Sequence, residues 1–271
     1  MIGAGSVLSG CVEQLFFHPD RLRYTSPSAL GVQAVDLSFP TEDGSRLAAW
    51  WLPATTPARA TVVHAHGNAA NISNHLPLVA WLPAAGFDVL SFDYRGFGHS
   101  QGRPTLDGVV ADTRAALAAA RQRSSQPLIG LGQSLGGASM LRALAAETAD
   151  GARDIRLAVI DSAFDSYRGI ARSATQGSLL AWLAPLAAAA LPPPERDPLA
   201  AVGKLGVPLL LLHGDADEVI PVAAAERLLA AAQAPKRLLR IPSGRHLDAL
   251  QRADVRELVR QVASNPTLLA G

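Results

Sequence analysis

PLIGLGQSLGGASM, residues 127–140, decides how this chain is read. The apolar run Leu128-Ile129-Gly130-Leu131 ends in Gly132-Gln133-Ser134-Leu135-Gly136, and a helix-forming stretch follows at once. Continuous apolar character over so few residues suits a strand covered on both faces. The stretch therefore predicts a strand that turns sharply into a helix, with a serine at the turn. Gly-x-Ser-x-Gly on its own is weak evidence. Between a strand and a helix it has a steric logic: residues without Cβ let the two elements approach, and the strained turn exposes the serine Oγ at the sheet edge.

On both sides of this turn the chain alternates strands and helices. Strands are expected at 61–66, 87–93, 127–133, 156–162, 207–214 and 236–242, with helical segments at about 74–85, 107–123, 135–147, 222–233 and 247–263. The alternation predicts an α/β fold with a mostly parallel central sheet. Residues 32–52 read as an antiparallel hairpin that enters it, turning at Gly44, where φ > 0 is tolerated. Some forty residues without a strand, about 165–206, read as a small helical lid inserted into a single domain of residues 32–271, with plain packing as the other reading. Residues 1–31 stand apart as an N-terminal segment. Ligand sites in such sheets lie beyond the carboxyl ends of the strands, so functional residues belong just after strands.

Composition excludes several classes. A net charge of +1 with scattered arginines offers no basic stripe for nucleic acid. Cys11 is the single cysteine, which excludes an internal disulfide and a cysteine-rich zinc site. No apolar run reaches the roughly 18 residues of a membrane span. LSGC at 8–11 resembles a bacterial lipobox with Cys11 as the lipidated residue. Only ten residues precede Cys11, none of them Lys or Arg, whereas a working leader carries a charged region and about 7 to 15 apolar residues. Either the leader is longer than these residues or the match is accidental.

A serine hydroxyl needs a base, and the base needs an orienting carboxylate. VPLLLLHGDADEVIP supplies Asp217 directly after a strand, with Asp215 and Glu218 as nearby alternatives, and RIPSGRHLDAL supplies His246 after the last strand. The order Ser134, Asp217, His246 is the Ser…Asp…His order of the α/β hydrolases. Acyl transfer also needs donors for the oxyanion. Leu135, next after the serine, offers one N–H, and Asn68 in His66-Gly67-Asn68 offers the other. The histidines of VVHAHGNAANISNH, residues 62–75, allow a metal reading through His64 and His66, two apart on a strand. No further cluster completes a ligand set, because His213 and His246 belong to the triad loops and His18, His75 and His99 have no assignable role. The expected metal count is none, and these histidines are expected to shape the loop.

HGNAANIS, DYRGFGHSQG, GQSLGG, HGDADEVIP and GRH together resemble the serine-hydrolase branch of the α/β-hydrolase superfamily. More narrowly they are similar to its serine aminopeptidase-like members, with an H-G-N oxyanion loop and a small lid, over residues of about 32 to 264. The resemblance implies an esterase, thioesterase, lysophospholipase or peptidase acting without a cofactor on a small-molecule or acylated substrate. It makes Asp93 and Arg95 structural supports. Bacterial relatives often begin with a lipobox followed by a motif like LFFHPD, here residues 15–20, which implies lipid anchoring in the cell envelope, with a cytoplasmic protein as the alternative. Ester or thioester cleavage is the leading expectation. An aminopeptidase would need an acid for the substrate amine, for which Asp165 and Glu195 are candidates, and a non-catalytic binding protein on the same fold is the remaining alternative. The pocket is expected to be lined by Phe97, Leu135, Phe164, Leu179 and Trp182.

Overall fold

In the computed structural model, which describes residues 16–175, 191–233 and 235–270, the apolar runs assemble into one eight-stranded sheet. In chain order the strands are β1 (His18–Pro19), β2 (Val35–Pro40), β3 (Arg46–Leu52), β4 (Ala60–Ala65), β5 (Ala69–Ala70), β6 (Phe87–Phe92), β7 (Leu128–Gln133), β8 (Ile155–Asp161), β9 (Leu209–Gly214) and β10 (Lys236–Ile241). The sheet order is β10-β9-β8-β7-β4-β6-β3-β2, while β1 and β5 form a separate parallel pair. From β10 to β6 all neighbours are parallel; β3 joins β6, and β2 joins β3, antiparallel. The fold is that of an α/β hydrolase.

The helices are α1 (Ile72–Val79), α2 (Gly108–Arg123), α3 (Leu135–Ala149), α4 (Tyr167–Thr175), α5 (Pro198–Val202), α6 (Ala223–Ala231) and α7 (Ala253–Ser264). Side chains alternate across a strand, and the core divides accordingly. Val63, Leu209 and Leu211 point to one face with Leu117 of α2, Leu144 of α3 and Leu228 of α6. Val62, Leu210 and Leu212 point to the other with Leu76 of α1 and Val259 of α7. Both faces are dry, which is why these strands read as unbroken apolar runs.

Two helices differ from the expected spans. α1 ends at Val79 and the chain continues in turns, which agrees with a weak helix carrying Pro77 in its interior. The last helix starts only at Ala253, because Leu247 takes a left-handed φ of 63° and the chain makes a short 3-10 turn at Ala249–Gln251 before helical geometry resumes. Within residues 165–206 the described part comprises α4, a 3-10 turn at Pro194–Arg196, and α5. Its two ends are tied at the base, where Tyr167 N–H donates to Asp197 Oδ1 at 2.9 Å and Leu199 N–H to the Asp165 carbonyl at 3.0 Å. Leu179, Trp182 and Cys11 lie outside the described residues.

Candidate active site

The site is built at the carboxyl ends of β4, β7, β9 and β10. At the end of β7, Ser134 has φ 53° and ψ −115°, a strained conformation for a residue with a side chain. The strain is held by close packing behind the serine. A Cβ on Gly136 would lie 1.9 Å from the Ala65 carbonyl oxygen, and one on Gly132 would lie 2.4 Å from that of Gly136. Ser134 N–H donates to the Asp161 carbonyl at 2.8 Å, pinning the turn to β8.

After β9, Asp217 is buried and accepts from the N–H groups of Val219 and Ile220 through Oδ1, at 2.8 and 2.9 Å. Its Oδ2 stands 2.7 Å from His246 Nδ1, which follows β10. Burial alone would raise this carboxyl; the hydrogen bond from His246 and those from the two N–H groups outweigh it and hold the group below its ordinary value. His213 supports the same loop, with Nε2 donating to the Ile220 carbonyl at 2.8 Å. The alternative acids point elsewhere: Asp215 Oδ1 accepts Ser243 N–H at 2.6 Å, and Glu218 is exposed.

Ser134, Leu135, Asn68 and His246 line one cavity of about 370 Å³. Leu135 is the first residue of α3, where backbone N–H groups lack intrahelical partners. The N–H of Asn68 donates to no other described residue. Both residues line the cavity that holds the serine. Beneath them the histidines do structural work: His66 Nδ1 donates to the Gly67 carbonyl at 2.7 Å, and Tyr94 Oη donates to the His66 carbonyl at 2.9 Å. His64 bridges Ser91 Oγ (2.8 Å) and Gln133 Oε1 (2.9 Å), so both ring nitrogens are engaged, and burial pushes its pKa down to about 4. Asp93 accepts Ile72 N–H at the start of α1 at 2.8 Å, while Arg95 pairs with Asp112 and Asp43, each at 2.7 Å.

The expected pocket residues divide. Phe164 lines the cavity, but Phe97 is fully buried behind His66, its ring 5.4 Å from the imidazole. Phe97 is the first large apolar side chain of the loop after β6, and that loop folds into the core. Among the lining residues that were not foreseen are Phe16, His18, His75, Ile170 and Leu247. For the first two the only signal in the sequence was the stretch LFFHPD, whose contact with the loop after β4 is a tertiary matter. Asp165 is paired with Arg227 at 2.6 Å and Glu195 is exposed; neither lines the cavity.

A serine at a strained strand-to-helix turn and an imidazole held by a buried carboxylate thus share one cavity on an α/β-hydrolase fold. The chain belongs to the hydrolase family described as Serine aminopeptidase, S33, which matches residues 56–198. It is 41% identical over 241 residues to uncharacterized protein YfhR of Escherichia coli, covering 86% of this chain and 80% of that protein. It is 32% identical over 243 residues to uncharacterized protein Rv2307c of Mycobacterium tuberculosis, covering 87% and 80% respectively. Among solved structures it resembles the esterase Pf2001 of Pyrococcus furiosus, with a TM-score of 0.75 and 21% identity over 94% of this chain and 99% of that one.

Proposed function

We propose that the protein is a serine hydrolase that cleaves carboxylic ester or thioester bonds through an acyl-enzyme. The observation that carries this reading is the 2.7 Å contact between Asp217 and His246, whose ring lines the same cavity as the elbow serine. Ser134 Oγ attacks the carbonyl carbon as His246 Nε2 takes its proton, and the carbonyl π electrons move onto oxygen. The N–H groups of Leu135 and Asn68 receive that oxyanion. Its collapse expels the alcohol or thiol, protonated by His246, and leaves Ser134 acylated. Water, deprotonated by the same imidazole, then releases the acid and restores the serine. The sequence of steps uses no cofactor.

Esters are favoured over peptides by the lining. Among the described residues the cavity wall carries Phe16, Phe164, Ile170 and Leu247 but no carboxylate to hold a free α-amine. The test is hydrolysis of p-nitrophenyl esters from acetate to palmitate with Ser134→Ala alongside. Turnover peaking at one chain length and lost by at least about a thousandfold in the variant is expected, since removing a triad nucleophile leaves only binding and oxyanion stabilisation. A Ser134→Ala protein as active as its parent would end this reading. Lipid anchoring through Cys11 belongs to the same proposal, supported by the LSGC stretch and the LFFHPD motif after it; Cys11→Ser should move the protein from the membrane to the soluble fraction of fractionated cells.

A further inference from the structure

The segment Phe16–Asp20 crosses the site as a strap. Its two-residue strand pairs in parallel with β5, His18 beside Ala69 and Pro19 beside Ala70. His18 N–H donates to the Asn68 carbonyl and Asp20 N–H to that of Ala70, each at 3.3 Å. In return the Asn68 side-chain Nδ2 donates to the Phe16 carbonyl at 2.5 Å. The strap is anchored beyond the site as well. Gly98 N–H donates to the Asp20 carbonyl at 2.9 Å, and Asn71 Nδ2 donates to Asp20 Oδ1 at 2.7 Å and to the Leu22 carbonyl at 2.8 Å.

These bonds fall on the loop that carries one expected oxyanion donor, and that loop needs them. Ala70 sits at φ 63°, a left-handed conformation that is strained for a residue with a Cβ. A short strained loop of this kind holds one shape only where its surroundings over-determine it. From below, His66 orients the Gly67 carbonyl; from above, the strap grips the carbonyl and the side chain of Asn68. The Asn68 N–H lies between these two constraints. The strap also contributes side chains. Phe16 stands edge-on to Phe164 and Tyr167, with each centroid distance 6.3 Å, and lines the same cavity as His246 and Leu247.

We propose that Phe16–Asp20 is a positioning and specificity-determining part of the active site: it sets the Asn68 N–H for the oxyanion, and Phe16 forms one wall of the acyl pocket. The inference rests on the serine-hydrolase reading above. Asn68→Ala keeps the backbone N–H and removes the tie to Phe16. It should lower kcat for p-nitrophenyl butyrate by about tenfold with KM within about twofold, because an oxyanion contact is made only in the transition state. The rate of Ser134 labelling by a fluorophosphonate should fall in parallel, a readout that needs no natural substrate. Asn68→Leu, which keeps the volume without the donor, serves where Asn68→Ala does not fold. Phe16→Ala should shift the preferred acyl chain to longer esters.

Unchanged kcat and labelling in both Asn68 variants would overturn the positioning role, as would a rise in KM alone. A chain-length profile superimposable on that of the parent would overturn the wall. Failure of the underlying reading looks different: Ser134→Ala would then stay active, or the parent would neither turn over esters nor react with the fluorophosphonate.

Discussion

Three carboxylates lie within four residues after β9, and only Asp217 faces the imidazole. Chain order alone left Asp215 and Glu218 open, because neighbouring residues in a turn point in different directions and the direction is set by what they bond. Asp217 is aimed by two backbone N–H groups, which add to the His246 hydrogen bond in holding the carboxyl below its ordinary value. Asp217→Asn should lower kcat/KM for the best ester by about 10⁴, the cost of presenting the histidine in the wrong tautomer, while Glu218→Gln leaves it within about twofold. A second carboxyl behaves in the opposite way. Asp161, fully buried at the end of β8, is bonded by Ser162 Oγ at 3.1 Å and is pushed up to about 6 by burial. Its folded form therefore holds a proton between about pH 4 and 6 that the unfolded chain has lost, so its contribution to stability falls as pH rises through that window. Urea titrations of Asp161→Asn against the parent should show the variant gaining about 2 to 3 kcal/mol relative to the parent from pH 4 to pH 6.5.

The strand–turn–helix at 128–149 was legible before any coordinate because a helix can follow a strand so abruptly only over glycine. The reason is visible at Gly136, whose missing Cβ is where the Ala65 carbonyl lies. Gly136→Ala should destabilise the protein by about 3 kcal/mol or more, an overpacking cost against immovable backbone, read from the urea midpoint, and should slow fluorophosphonate labelling of Ser134. Other elements were legible only in outline. The helix expected to begin at 247 starts at Ala253, since the loop bearing His246 is bent by the left-handed Leu247. The strap was missed as an element: two residues of strand give no periodicity, and its partner lies some fifty residues away.

Across the fold, the interior buries polar groups, such as His64 of β4 and His75 of α1, that hydrophobic patterning does not announce. His64 is pushed down to about 4 and His75 to about 3, both chiefly by burial. The unfolded chain protonates these rings below about pH 6.5 while the folded protein keeps them neutral, so stability should fall as pH drops from about 6.5 toward 4. For His64 alone the loss is about 3 kcal/mol. This is opposite in sign to Asp161, and with two histidines against one carboxyl the acid side should dominate. A series of urea midpoints from pH 7 to pH 4 checks the direction, and His64→Gln, which keeps hydrogen-bonding capacity without a titratable ring, should flatten the slope.

By itself the amino-acid sequence determined the layering of this protein and the strand-to-helix turn that presents Ser134. Unbroken apolar runs specify strands buried on both faces, and steric exclusion at glycine specifies the elbow; both are local properties carried by neighbouring residues. Only the tertiary structure decided which carboxylate meets His246, that Phe97 belongs to the core, and that Phe16 and His18 reach the site. Those outcomes depend on where separate strand ends converge and on hydrogen bonds between segments far apart in the chain, and no local pattern encodes that convergence.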